Sequence, residues 1–379
     1  MAAISFTKAF RALQRLDWWL LFAVISLFAM GLAAIYSVEL SRESADFFFI
    51  KKQLIAFSIG ASALIFFTIS HTLVLRSYGR ALYVFGVALM LWVLLFGSEV
   101  RGTTGWFIFG SFSFQPVELM KLILAVVLAR YFSEKARRTF GWRELVGSFA
   151  LTAIPVFLTL LQPDVGSASV LLGIWLVVVF FAGLKVRHVA FLAAMTIFTI
   201  AFSWTFLLQD YQRARVQVFV NPTEDLQGSG YNIAQARIAI GSGQFFGRGL
   251  GFGSQSQLKF LPESQTDFIF AVIAEELGFL GVLFVVIGLM ILLWRILVIA
   301  RRSRDHFTGF LLVGLFGSFA VQAIVNIAVN LALFPATGIA LPLMSYGGSS
   351  LLVSLMMIGI VEGVAVRIPL VDRLQVATV

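Results

Sequence analysis

The chain of 379 residues is 60% hydrophobic and only 12% charged, with 40 Phe, no Cys and a formal net charge of +9. Soluble domains run nearer about 45–50% apolar and about 25% charged. A soluble chain of this composition could not cover its surface with polar groups, so an ordinary soluble enzyme and a disordered protein are both excluded and a polytopic membrane protein remains.

Apolar runs of about 20 residues mark membrane-spanning helices. Ten are expected, at roughly 17–37, 50–69, 75–97, 116–132, 145–161, 166–184, 188–208, 266–298, 307–334 and 343–366. No A-x-A-like cleavage site follows the first, which reads as a retained span. The fifth carries Pro155, which predicts a kink that neighbouring helices accommodate. The eighth and ninth exceed the length a bilayer requires, which predicts tilt or interfacial extension. Alternate connections hold 18 of the 28 Lys and Arg, among them Arg76, Arg130, Lys185, Arg295 and Arg302. By the positive-inside rule both termini are cytoplasmic, and the basic surplus reads as topology rather than as a nucleic-acid surface. The longest connection, about 209–265, is then a large outer loop between helices 7 and 8. It is glycine-rich from Gly228 to Gly253, and its stretch Tyr231 to Ile240 is apolar enough to lie on or dip into the membrane. Loops longer than about 15 residues more often carry function. No soluble domain interrupts the pattern, so the expectation is an all-α polytopic membrane protein with a single transmembrane domain over 1–379.

Chemistry must come from polar groups that the bilayer disfavours. The absence of Cys removes thiol nucleophiles and thiolate metal sites, and three scattered His (His71, His188, His306) predict no His metal cluster. Charges within or at the ends of spans face a cavity or a partner; here they are Glu118, Lys121, Asp164, Asp267, Glu275, Glu276 and Glu362. Glu118 and Lys121 are spaced i,i+3 and can pair on one helix; a structural ion pair and a part in a site both fit. Asp164 follows Pro163 where a helix N-cap is expected, and capping does not preclude a site role. Asp267, where the long outer loop enters the eighth span, is a cap or a partly desolvated base. Of Glu275 and Glu276, two turns deeper, one is expected to face another helix as a buried hydrogen-bonded group, and Glu362 reads as an interfacial charge. Gln322, Asn326 and Asn330 repeat at i,i+4 and predict hydrogen bonds between helices. These residues alone leave a transporter and an enzyme acting on a membrane substrate both open.

Several stretches resemble one bacterial family, the SEDS proteins (shape, elongation, division, sporulation), which include RodA and FtsW. The strongest is FLPESQTDFIFAVIAEELGFLG from Phe260 to Gly281; YNIAQARIAIGSGQFFGRGLG (Tyr231 to Gly251), FSFQPVELMK (Phe112 to Lys121), QPDVGSA (Gln162 to Ala168) and FPATGIALPLMSYGGSSL (Phe334 to Leu351) follow the family in order and spacing. SQSQLKFLPE and AQARIAIGSG look more like RodA than FtsW. Two places depart from the pattern: GTTGW (Gly102 to Trp106) stands where a GARRW-like stretch is common, and Gln265 where His often precedes the Thr. The resemblance implies ten helices and a multi-pass peptidoglycan glycosyltransferase of the bacterial cytoplasmic membrane. Such enzymes polymerise lipid II, a disaccharide-peptide on undecaprenyl diphosphate, at the outer face, with a class B penicillin-binding protein and other elongation-complex membrane proteins as partners. It places the essential acid at Asp267 and supporting residues at Glu118, Lys121 and Asp164. The leaving diphosphate calls for positive charge, for which Lys121, Arg101, Arg213, Arg215 and Arg237 are candidates. A divalent cation, Mg²⁺ or Mn²⁺, would suit the same diphosphate. A lipid II flippase and a non-catalytic scaffold for the penicillin-binding protein are the rival readings.

Overall fold

The computed structural model describes residues 15–40, 47–100, 102–110, 112–135, 140–202, 205 and 229–368. Each expected span meets a helix: α1 (Trp18–Leu40), α2 (Phe48–Ile69), α3 (Thr72–Phe96), α4 (Pro116–Ser133), α5 (Trp142–Leu161), α6 (Val165–Phe181) and α7 (Val186–Phe202), then α10 (Ile269–Arg302), α11 (His306–Asn330) and α12 (Gly348–Arg367). The outer loop adds α8 (Ser229–Gly243) and the single turn α9 (Ser254–Gln257). Seven of these helices are long and apolar enough to cross a membrane. Of the other three expected spans, α6 and α7 have 17 residues each and α4 carries Glu118, Lys121 and Arg130 within 18.

Helix α4 tolerates charge because of where it lies. Fourteen of its 18 residues are buried, and it contributes to two hydrophobic cores, one shared with α1, α10, α11 and α12 and the other with α5 and α6. Protein rather than lipid surrounds its ion pair. By contrast α2 and α3 bury only a few small or slender positions, such as Ala56, Gly60, Gly79 and Gly86, and turn large apolar side chains outward. Helices α2 and α12 pack closely, with Gly60 against the Leu355 side chain and Gly359 against the Leu64 backbone, the close approach that small residues permit in membranes.

Two features were not expected from the sequence. Between α3 and α4 the chain forms a three-stranded antiparallel sheet, β1 (Ser98–Val100), β2 (Thr103–Phe109) and β3 (Phe112–Phe114), in the order β1-β2-β3. Pairs such as Phe107 with Phe114 and Phe109 with Phe112 set its register; Gly110 (φ 58°) sits in the second two-residue connection, a tight-turn signature present in the sequence. The second is a break inside α10 at Gly278, with φ 65° and ψ −159°. There the amides of Phe279 and Leu280 donate to the carbonyls of Gln244 and Phe245, at 2.9 and 3.3 Å, instead of to their own helix.

Pro155 lies inside α5. It has no N–H, so the carbonyl of Leu151, four residues earlier, lacks its helical donor. The Tyr83 hydroxyl of α3 donates to that carbonyl at 2.7 Å, which is how a neighbouring helix repairs the ladder in a medium without water. Tyr83→Phe is expected to cost about 1–2 kcal/mol of stability, read as a lowered thermal midpoint in detergent. In a Pro155→Ala background, where residue 155 supplies its own N–H, the same change is expected to cost clearly less; equal costs would refute the repair.

Candidate functional site

Four segments converge at one end of the bundle: the entry to α4, the α5–α6 turn, the turn that leads into α10, and the stretch between α11 and α12. Asp267 closes the third of these and is half-buried. Its backbone is held from two sides. The carbonyl of Asp267 accepts from Asn326 Nδ2 and from Asn330 Nδ2, both at 2.9 Å. Asn326 Nδ2 also donates to the Ile339 carbonyl at 2.8 Å, and Asn330 Oδ1 accepts from the Ala271 amide at 3.1 Å. From the other side Ser345 Oγ donates to the Thr266 carbonyl at 2.6 Å and the Tyr346 amide to the Gln265 carbonyl at 2.8 Å. Gln53 of α2 in turn donates to the Ser345 carbonyl at 3.1 Å and accepts from the Gly347 amide at 3.3 Å. A Cβ on Gly338, which has φ 71°, would lie 3.8 Å from Asp267 Oδ2. Gly338 thus lies alongside the carboxylate, in a left-handed conformation that favours glycine. Lys259 (φ 60°), Glu263 (φ 52°) and Leu343 (φ 66°) also adopt left-handed backbone around this turn, a conformation that persists for ordinary residues only where the surroundings hold it.

Asp164 is both a cap and a member of this assembly. One carboxylate oxygen accepts from the Ser167 amide at 2.8 Å, and the other from Gln115 Nε2 at 3.1 Å. The Gln115 amide donates to Ser349 Oγ at 3.2 Å, and Ser349 Oγ donates to the Ser113 carbonyl at 2.8 Å. Gly166 packs directly on the backbone of Thr337, next to Gly338. The turn that bears Asp164 and the turn that bears Asp267 thus rest on the same stretch of chain.

Glu118 and Lys121 pair at 2.8 Å, with Lys121 only 2% exposed. Lys121 Nζ also donates to Gln322 Oε1 at 3.1 Å. Gln322, Asn326 and Asn330 lie on one face of α11, so a single polar stripe runs from the buried ion pair to the carbonyl of Asp267. Arg237 is exposed on α8. Arg101, Arg213 and Arg215 lie outside the described residues.

Both Glu275 and Glu276 are buried, where one was expected to be, and they tie the long loop to α10. Glu275 accepts from the amides of Gln255 and Ser256 at 2.7 and 3.0 Å, which caps α9. Glu276 accepts from Ser37 Oγ and, at 3.3 Å, from Gln257 Nε2. The interfacial reading of Glu362 is corrected. Glu362 is fully buried and accepts from the Asp17 amide at 3.0 Å, because α1 begins against α12 and encloses it.

Two parts of the site have no single-residue signal in the sequence. One is the Ser345–Gln53 bracket, drawn from residues 292 positions apart. The other is a polar cavity of about 270 Å³ beside the turn, lined by residues that include Lys259, Glu263, Gln265, Thr266 and Tyr346. Gln265 is 7% exposed, and its Nε2 is buried there without a hydrogen-bond partner.

Comparison with known proteins follows the same lines. The model of the family described as cell cycle proteins, FtsW/RodA/SpoVE, matches residues 18–368. A probable peptidoglycan glycosyltransferase FtsW of Trichlorobacter lovleyi is 36% identical over 375 residues, 96% of each chain. Among solved structures, a chain from work on the structural coordination of polymerization and crosslinking by a peptidoglycan synthase complex superposes with a TM-score of 0.79 at 32% identity, covering 92% of this chain and 97% of that one. The Thermus thermophilus rod shape determining protein RodA superposes at 0.69 with 30% identity, covering 92% and 96%. Matched from the start of α1 to the end of α12, the chain belongs to the FtsW/RodA/SpoVE family, the SEDS proteins.

Proposed function

We propose that this multi-pass membrane protein is a peptidoglycan glycosyltransferase that polymerises lipid II at the outer face of the bacterial cytoplasmic membrane, with Asp267 as the general base. Its relatives' names support the activity. The placement of Asp267 carries the assignment of the base: a half-buried carboxylate whose backbone is pinned by two side-chain amides and which lies beside Gly338. In the reaction a sugar 4-hydroxyl oxygen bonds to an anomeric carbon, its proton passes to the Asp267 carboxylate, and the bond from that carbon to the lipid diphosphate breaks, the electron pair leaving with the diphosphate. General-base catalysis of this kind contributes about 100- to 10,000-fold.

The other residues support this step. Asp164 caps α6 and ties it to Gln115 at the entry to α4, while Gly166 rests on Thr337. Lys121 is committed to Glu118 and Gln322, so it steadies α11 beneath the asparagines rather than meeting the diphosphate. Arg101, Arg213, Arg215 and the exposed Arg237 are the candidate cations for that group. A divalent cation, Mg²⁺ or Mn²⁺, fits as a companion of the diphosphate. Among the described residues no three His, Asp or Glu side chains gather to cage an ion, and Mg²⁺ commonly rests on one or two carboxylates and the substrate's phosphates. The elongation role of the RodA type, with a class B penicillin-binding protein as crosslinking partner, is supported by the RodA neighbour and by the complex that couples polymerization to crosslinking.

Wild type and Asp267→Asn, each with a penicillin-binding partner whose transpeptidase is blocked, should be given labelled lipid II and Mg²⁺. Glycan ladders are expected from wild type, at least 100-fold fewer from Asp267→Asn, and fewer from wild type in EDTA. Full activity in Asp267→Asn removes the base. No ladders from either, beside an active control polymerase, would favour a lipid transporter or a scaffold. Asn330→Ala is expected to lower kcat about tenfold with little change in KM, because it loosens the reacting carboxylate without touching substrate; an unchanged kcat would show that the clamp is idle. Lys121→Met should cost about 3–5 kcal/mol by stranding a buried carboxylate, and Glu118→Gln with Lys121→Met should recover much of that stability and some polymerisation. Recovered stability with no polymerisation would make the pair catalytic instead.

A further inference from the structure

The opposite end of the bundle holds a second cavity, of about 240 Å³, which the reaction does not use. It lies where α1 begins and where α10 and α12 end, and its walls include Asp17, Trp18, Trp19, Arg295, Arg302 and Ile368. The two arginines differ in their commitments. Arg295 Nε donates to both carboxylate oxygens of Asp17, at 3.0 and 3.1 Å. Asp17 is fully occupied in its turn, since it caps α1 through the Leu20 amide at 3.1 Å while its own amide meets Glu362. Arg302 forms an ion pair with no described carboxylate, and its Nε is buried without a hydrogen-bond partner. A guanidinium does not shed its proton in a protein, and a buried unpaired donor is costly. Arg302 lines the cavity with a positive charge that no described carboxylate neutralises, so this wall suits an acceptor oxygen, preferably a charged one.

The rest of the cavity says what carries that oxygen. Trp18 and Trp19 are 61% and 63% exposed at the start of a membrane-spanning helix, the place of an aromatic belt at the headgroup level. Ile299, Ala365 and Ile368 supply apolar wall beside the arginines. The arginine bias assigns this end to the cytoplasmic leaflet, and basic pockets between helices on that side suit anionic headgroups. We propose that this cavity binds the phosphate of an anionic phospholipid headgroup through Arg302, with the glycerol and the first methylenes against Trp18, Trp19 and Ile368. Inorganic phosphate offers the same oxygens, but the apolar wall and the exposed tryptophans would give it nothing to hold.

The test uses the full chain in neutral detergent, with phosphatidylglycerol titrated in and bound lipid counted by native mass spectrometry. One retained lipid is expected, with phosphatidylcholine of the same acyl chains binding more weakly. Arg302→Gln should weaken retention about fivefold or more, the scale of one basic residue at an anionic membrane. Arg301→Gln removes the same charge from the same turn, at an exposed position outside the cavity, and should change retention less than twofold. Thermal unfolding of each variant checks its fold, and Arg302→Lys, which keeps the charge but loses Nε, is read in place of Arg302→Gln if that variant unfolds. Equal losses in the Arg301 and Arg302 variants, equal binding of the two lipids, or no lipid retained by wild type would each overturn the proposal. Displacement of the lipid by millimolar inorganic phosphate would replace the lipid reading with a free-phosphate site.

Discussion

The two asparagine amides that meet the Asp267 carbonyl are the contact on which the outer half of this protein depends. A helix entering the bilayer leaves backbone groups unpartnered at its first turn, and little water is at hand to satisfy them. Asn330 fills that need for one amide, that of Ala271, through Oδ1, while the Nδ2 groups of Asn326 and Asn330 meet the Asp267 carbonyl just ahead of the helix and Asn326 also meets Ile339, so that the α11–α12 stretch and the start of α10 share one network. A carboxylate acting as a base, as proposed for Asp267, gains from this arrangement because its backbone is fixed before substrate arrives. The side chain is left half-buried, beside a glycine, at the mouth of the bundle.

Buried charge serves the same end by a different route. An isolated ion in a low-dielectric interior is expensive, and several buried charges here have drawn a partner from another helix. Lys121 joins α4 to α11, Glu276 joins α10 to α1, Glu275 caps α9, and Asp17 joins α1 to α10. Each tie is specific in a way that apolar contacts between helices are not, since lipid tails solvate Leu as well as a neighbouring helix does. Arg302, which pairs with no described carboxylate, is where the proposed lipid phosphate would supply the partner.

The break at Gly278 extends this economy to the backbone. Opening α10 releases amides that the outer loop at Gln244 and Phe245 accepts, while the Arg248 and Gly249 amides pair with the carbonyls of Glu275 and Glu276. Loop and helix exchange hydrogen bonds as strands do. The stretch after α8 is thereby seated on α10, two turns from Asp267, instead of hanging from it as a tether.

Much of this was legible in the amino-acid sequence. Runs of Leu, Phe, Val and Ile long enough to span a bilayer mark the helices, since span length is a local property of consecutive residues. The TDFIF and QPVELMK stretches single out Asp267, Glu118 and Lys121 because charge in an apolar run is conspicuous by itself. The sheet between α3 and α4 stayed hidden because strands of three to seven residues leave a weak pattern. The burial of Glu362, the Ser345–Gln53 bracket and the two cavities stayed hidden for another reason. Each depends on which residues meet across hundreds of positions, as Asp17 meets Glu362 and Gln53 meets Ser345. The sequence by itself determined which segments leave water and which charges must find partners. Only the tertiary structure decided the partners, because pairing follows from how helices pack in three dimensions and not from the order in which they occur.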